Sequence, residues 1–317
     1  MAAITNAFTT ASAKGIREDL TDQIHRVDVE DTPFMSMVPT TTAKNTLHEW
    51  QTDALEAVNT SNAVPEGNET SNAAAVNTTR VSNVCQISDK NATVSGTLEA
   101  VDKAGRDKEM ARQLAIKTIG LRKDMEAILL SNQAFANSTT RTLRGFEAWI
   151  RTNSSRGAGA GADPADPAVT PGTTATDGTQ RAFTETLLLD ELQECFDAGG
   201  NVKVAMMGSF NKRAASAFTG RAASTVPVGV NTVHQAANKY ASDFGDIDLV
   251  PHRYMRSRTC LLIDPSKVKV AYLSGRRFHR FPLGKKGDAD TNVILSEYTL
   301  EMCNERAHGV IADLTTS

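Results

Sequence analysis

Aromatic side chains are scarce in this chain, with 11 Phe, 4 Tyr and 2 Trp among 317 residues. That scarcity counts against stacking-based nucleic-acid readers and aromatic-lined sugar sites. Cysteine is also thin. Cys85, Cys195, Cys260 and Cys303 stand far apart, in no CxxC or Cys/His pair at metal-ligand spacing, so neither a zinc site nor a disulfide framework is indicated and free, mostly buried thiols are expected. No apolar run approaches the ~18–20 residues that span a bilayer, which excludes a transmembrane helix. The first residues, MAAITNAFTTASAKG, lack a basic head before an apolar core, so no secretory leader is expected and the chain reads as soluble and made inside the cell. Six Asn-x-Ser/Thr sequons then reflect an Asn- and Thr-rich composition; the rival that uses them is a secreted glycosylated surface protein.

Catalytic patterns are missing as well. The six histidines occur neither in HExxH nor beside a GxSxG elbow. Gly157, Gly159 and Gly161 neither follow a strand nor open a helix and run into Asp163-Pro164, so the phosphate-cradling context is absent. Asp243, Asp246 and Asp248 lack the sixth-position glycine and terminal glutamate of a calcium loop. Ser209, between a strand and a helix, reads as a helix cap. Arg276, Arg277, His279, Arg280, Lys285 and Lys286, interleaved with Phe278 and Phe281, read as a solvated basic hairpin. No enzyme, cofactor or metal is expected.

What the chain has is 40% apolar and 22% charged residues, enough for a real core, and a nearly balanced charge of -3. The balance hides blocks: residues 1–100 carry 6 bases against 13 acids and 101–160 carry 11 against 6, then 161–250 carry 6 against 11 and 251–317 carry 11 against 7. Alternating blocks suit neighbouring copies that meet with complementary potential.

Residues 1–15, small and aperiodic, read as an extended arm. Ile16, Leu20 and Ile24 give one apolar stripe on a short helix, with Glu18, Asp19 and Asp22 near its positive end, before Asp31-Thr32-Pro33 stops it. Strands are expected at 44–51, where Thr46, His48 and Trp50 share a face, and at 81–98, with a polar, Asn/Thr/Ala-rich tip at 52–80 too poor in apolar residues to pack on itself. A loop of that length makes sense when it lies on a neighbouring subunit. A helix from about Val101 to Asn132 is expected next, with Met110, Leu114, Leu121, Met125 and Ile128 on one side and Ile116, Ile119 and Leu130 on the other, so both faces need cover. Residues 157–180 read as a surface loop or linker. An α/β region follows: a helix capped by Thr184 and stopped at Gly199-Gly200, a strand at 202–207, a helix to Phe218, and strands at 247–250, 259–264, 268–273, 292–302 and 306–314.

This order of elements, with the strings GIREDLTDQI and DTPFMSMV at 15–38, KNTLHEWQTDAL at 44–55 and LEMCNERAHGVIADL at 300–314, resembles the major capsid proteins of tailed bacteriophages. The resemblance implies an α+β Hong Kong 97-like capsid fold: an N-terminal arm and short helix at 1–43, an extended β-hairpin loop at 44–100, a peripheral domain with a spine helix at 101–184, an axial domain at 185–275, and C-terminal strands at 276–317 returning to the peripheral domain. It implies a structural role, many copies closing into hexamers and pentamers of an icosahedral head around double-stranded DNA held by non-specific contact. A separate scaffolding protein, a portal and an optional decoration protein are the implied partners, with the virion as location and the host cytoplasm as the place of assembly. Arg17, Glu18, Asp19, Phe34 and Trp50 are the expected subunit contacts, and Lys108, Arg112 and Lys123 the expected inward-facing bases. The rival with the same fold is an encapsulin-like nanocompartment shell.

Overall fold

A computed structural model of the chain describes residues 29, 31–69, 77–103, 107–170, 172–218, 238–285 and 287–316. In chain order the elements are α1 (Pro33–Met37), β1 (Thr40–Ala43), β2 (Leu47–Thr52), β3 (Thr79–Val84), β4 (Gln86–Ser95), α2 (Gly96–Ala100) and α3 (Glu109–Leu129). The short α4 (Phe146–Trp149) and β5 (Ser154–Ser155) precede α5 (Glu185–Asp197), β6 (Val204–Met207) and α6 (Ser209–Ala215). Then come β7 (Lys239–Ser242), β8 (Gly245–Pro251), β9 (Cys260–Ile263), β10 (Val268–Leu273), β11 (His279–Pro282), β12 (Ala289–Met302) and β13 (Gly309–Ile311).

Two sheets and a hairpin organise them. β12 is the axis of the first sheet: β4 pairs with it antiparallel from Ala289 to Tyr298, while β11 and then β10 take its other edge, and β1 adds in parallel to β10. The second sheet runs β5-β13-β9-β6-β8-β7. β2 and β3 form the separate hairpin.

Every residue of β6 and β9 is buried, as strands covered on both faces should be. Their side chains alternate between two cores. Val204, Met206, Leu261 and Ile263 join Phe34, Leu121, Met125, Phe146 and Trp149, whereas Ala205, Met207, Cys260 and Leu262 pack with Leu188, Leu192 and Cys195 of α5. The period of two thus welds the second sheet to the first lobe on one side and to its own helix on the other.

The long helix is shorter than its periodicity suggests. The expected run from Val101 to Asn132 is split into α2 and α3, because Val101 and Lys108 are extended and Asp102 and Asp107 are weak helix formers. The 21 residues of α3 span ~31 Å rather than the 45–50 Å of an unbroken helix. Its start is fixed by Glu99, whose Oε2 accepts from the amides of Glu109 (3.1 Å) and Met110 (3.4 Å). Leu114, Leu121, Met125 and Leu129 are buried, on the side expected.

The expected strand at 81–98 is also two strands, in different layers. Buried Asn83 takes over the work of the ladder: its Nδ2 donates to the carbonyls of Arg144 (3.2 Å) and Leu300 (2.9 Å), and its Oδ1 accepts from the amides of Val84 and Arg144. The chain turns there, leaving β3 in the hairpin and sending β4 to β12. Three smaller expectations change. Gly208, not Ser209, caps α6, and no side chain bonds there. β10 leaves the 185–275 region to join the first sheet, and β13 does not return with β12 but pairs with β9. Thr184 does cap α5, its hydroxyl accepting from the Leu187 amide at 3.4 Å, and all four cysteines are free, three of them buried.

Candidate inter-subunit surface

The hairpin is anchored at its root and bare at its tip. On β2, Trp50 lies against Trp149 with ring centroids 5.6 Å apart and donates from Nε1 to the Met302 carbonyl at 2.9 Å. Two residues earlier on the same face, His48 Nε2 meets Glu301 Oε2 at 2.9 Å, and Lys269 Nζ reaches the other oxygen at 3.1 Å. The hydrogen bond from His48, then those from Lys269, hold the Glu301 carboxyl down to about 2. Beyond Thr52 the packing stops. Leu55 is 99%, Val58 93% and Val64 67% exposed, and Asp53, Glu56, Glu66 and Glu69 accompany them with no base between residues 53 and 69. Three aliphatic side chains within ten residues of one loop therefore stand largely in water.

A second junction fixes the root of the N-terminal arm. Glu126 of α3 is fully buried, and its two oxygens accept from the amides of Phe34 (2.6 Å) and Met35 (2.9 Å), satisfying the free N–H groups at the start of α1. His252 Nε2 donates to the same carboxylate at 3.0 Å, while its Nδ1 accepts from the amides of Tyr254 and Met255. Further back along α3, Arg122 donates to Thr32 Oγ1 at 3.3 Å and Lys123 lies over the Tyr254 ring, whose hydroxyl donates to the Val29 carbonyl at 3.2 Å.

The third feature is the Gly/Pro-rich segment 157–180, expected as a free surface loop. It is strapped to the body. Asn132 exchanges two hydrogen bonds with the backbone of Ala175 (2.7 and 3.0 Å), and buried Arg144 donates to the carbonyls of Ala148 and Ala165. Arg256 bridges Glu147 (2.7 Å) and Asp177 (2.6 Å), and Arg258 bridges Asp177 (3.1 Å) and Asp313 (2.6 Å). Asp313 closes the network by accepting from the Gly157 amide at 3.0 Å. Burial raises the carboxyl of Glu147 despite Arg256.

Arg17, Glu18 and Asp19 lie outside the described residues. Phe34 is corrected: it is fully buried by its own chain, edge-on to Phe146 at 5.8 Å, and has no surface to offer a neighbour. Trp50 keeps part of its surface but spends its polar edge and one face within the chain. Lys108 is the exposed, extended residue just before α3, Arg112 pairs with Glu109 at 3.0 Å, and Lys123 covers Tyr254. In the basic hairpin, Arg276 pairs with Glu297, Arg277 covers Tyr272 and Lys285 meets Asp290, so much of its charge is used locally. Sequence reading missed Glu126, His252, Asn83 and Glu301. Among the described residues no three His, Cys, Asp or Glu side chains are grouped to hold a metal, and no helix is long and apolar enough to cross a membrane.

A two-stranded hairpin, a long helix on a β12-centred sheet and a second α/β lobe define a capsid-type shell subunit of the Hong Kong 97-like fold. The Cyanophage A-1(L) capsid subunit matches with a TM-score of 0.63 and 13% identity, covering 97% of this chain and 98% of that one. Gordonia phage Cozz gives 0.62 at 8% identity over 99% of both, and an encapsulin complex from Synechococcus elongatus gives 0.57 at 10% over 95% and 94%. The SU10 major capsid protein family model matches residues 3–315, and the chain belongs to that family. The major capsid protein of Escherichia phage Phieco32 is 35% identical over 127 residues, 40% of this chain and 36% of that protein. The match thus spans about a third of that relative's length.

Proposed function

We propose that this chain is the shell-building subunit of a phage head, closing as hexamers and pentamers around double-stranded DNA. The observation that carries this is the loop beyond Thr52, where Leu55, Val58 and Val64 are left bare by their own chain. Burying three aliphatic side chains gains roughly 1.5–3 kcal/mol each, and a neighbouring copy is the surface that supplies the cover. Many such contacts sum over a closed shell by multivalency and symmetry. Membership of the capsid family supports the reading. A separate scaffolding protein, a portal and decoration proteins complete the proposed partners, with assembly in the host cytoplasm and DNA held non-specifically. Arg17, Glu18 and Asp19 of the arm, and the uncovered edge of Trp50, serve as contacts between copies.

The test is light scattering with negative-stain microscopy on the purified chain, alone and with a scaffolding protein. Shells, tubes or rings of five and six are expected. A homogeneous monomer or dimer under both conditions overturns the reading. Likeness to the encapsulin concerns the fold, and shells formed in cells separate the two: nuclease-protected DNA marks a phage head, an enclosed protein cargo a nanocompartment.

A further inference from the structure

One flank of α3 and the bare loop beyond Thr52 are opposite in charge and alike in apolar character. Steps of three and four residues put Arg112, Ala115, Ile116, Ile119, Arg122 and Lys123 on that flank, with buried Leu114, Leu121 and Met125 on the other. Ala115, Ile116 and Arg122 are exposed, while Arg112, Ile119 and Lys123 are half-buried. Of the second apolar side that the helical period marks for cover, Leu130 is buried by its own chain and Ile116 is not. The acid on this flank is Glu126 at its C-terminal end, and its carboxylate is taken by the amides of Phe34 and Met35 and by His252. Arg112 has Glu109 at 3.0 Å. Arg122 meets the Thr32 hydroxyl and Lys123 the Tyr254 ring, and no carboxylate pairs with either among the described residues. The flank is thus aliphatic in the middle and basic at both ends.

The loop carries the reverse. Leu55, Val58 and Val64 are exposed, and Asp53, Glu56, Glu66 and Glu69 stand among them with no base from 53 to 69. Each surface supplies what the other lacks: aliphatic cover for aliphatic side chains, and acids for bases without a carboxylate partner. In its own chain the loop leaves Ile116 exposed, so the pairing joins two copies. We propose that Leu55 and Val58 of one copy pack across Ile116 and Ile119 of the next, with Asp53 and Glu56 facing Arg122 and Lys123. The contact rests on the shell-building role proposed above and adds the surface that receives the loop. It also gives Arg122 and Lys123 a use other than packaged DNA: they meet a neighbour's acids.

The test uses the full-length chain at high concentration, with and without a scaffolding protein. A Leu55→Cys/Ile116→Cys variant is oxidised mildly beside a Leu55→Cys/Ile87→Cys control, Ile87 being exposed on β4. Expected are disulfide-linked oligomers on a non-reducing gel in the first alone, with the bond identified by peptide mass. An intrachain bond places the loop on its own α3 and overturns the proposal, as does the absence of any bond or equal bonding in the control. The bond is read whether or not particles form, and particles are scored by microscopy on the same samples. Absence of particles under both conditions sinks the shell-building role, whereas particles without the bond sink this contact alone. In the first variant, adding Glu56→Lys should cut the bonded fraction about tenfold by setting like charges together. An unchanged fraction overturns the proposal too.

Discussion

Residues 53–69 and 157–180 read alike as sequence, both polar, small-residue stretches between periodic segments, yet one stands free and the other is strapped down. The difference lies elsewhere in the chain. Segment 157–180 is met by Asn132, Arg144, Arg256, Arg258 and Asp313, each projecting from a packed element onto a backbone group or a carboxylate of the segment. Among the described residues, segment 53–69 meets nothing comparable, and its aliphatic side chains are exposed. Composition reports what a segment cannot do alone; it does not report which distant residues attend it.

The comparison breaks most sharply at Gly157 and Asp313. A Cβ on Gly157 would stand 2.0 Å from the Thr179 carbonyl oxygen and 2.9 Å from Asp313 Cβ, both of them held in place. Gly157→Ala should therefore cost roughly 2–3 kcal/mol, as overpacking does, read as a lowered urea midpoint. Asp313→Ala leaves the Gly157 amide and Arg258 without their partner and should cost about 3 kcal/mol, the low end for breaking a buried pair because Arg258 keeps Asp177 and some solvent. Asp313→Asn should cost less, since asparagine also tolerates the φ of 60° found there.

Next in size is the opposed response of the two regions to pH. At the hairpin root Glu301 is held at about 2 against an ordinary 4.5, so its stabilisation is present in full above ~4.5 and is lost as pH falls through about 2. On the order of 2 kcal/mol is at stake, and Glu301→Gln should flatten the acid limb of the unfolding curve. Near the strapped segment the sign reverses. Buried Glu191 of α5 is raised to about 8, by burial first and then by Glu194, with Asp163 adding and Arg181 opposing. Its folded state holds the extra proton, so stability is greatest below ~4.5 and declines as pH rises through about 8. Thermal unfolding of Glu191→Gln should lose that alkaline decline; parallel curves for variant and parent would remove the distinction.

How much of this was legible follows the same divide. Local periodicity placed α5, β6, β9, β10 and the buried side of α3, because those depend on neighbours three, four or two residues away. The resemblance to phage capsid proteins named the fold. The split at Asn83 and the departure of β13 were not readable, since each is decided by a partner more than 40 residues distant: Leu300 for Asn83 and Leu261 for Val310. At the candidate surface, the polar hairpin was visible as a segment needing a neighbour. Phe34 was misassigned because an aromatic after a proline looks the same whether its pocket belongs to its own chain or another's.

The smallest effect on the free chain is the one that tests the other half of the comparison. Leu55→Ser and Val58→Ser remove side chains that touch almost nothing in their own subunit, so the urea midpoint should stay within ~0.5 kcal/mol of the parent, as for surface substitutions generally. Assembly should respond in the opposite way. If a neighbour covers both residues, losing about 2 kcal/mol per buried aliphatic side chain at every contact of a shell should raise the concentration needed for particle formation well over tenfold. Light scattering across a concentration series reads both outcomes on one preparation. A lowered midpoint with unchanged assembly would mean that segment 53–69 is attended by its own chain after all, and that the two regions differ less than their burial indicates.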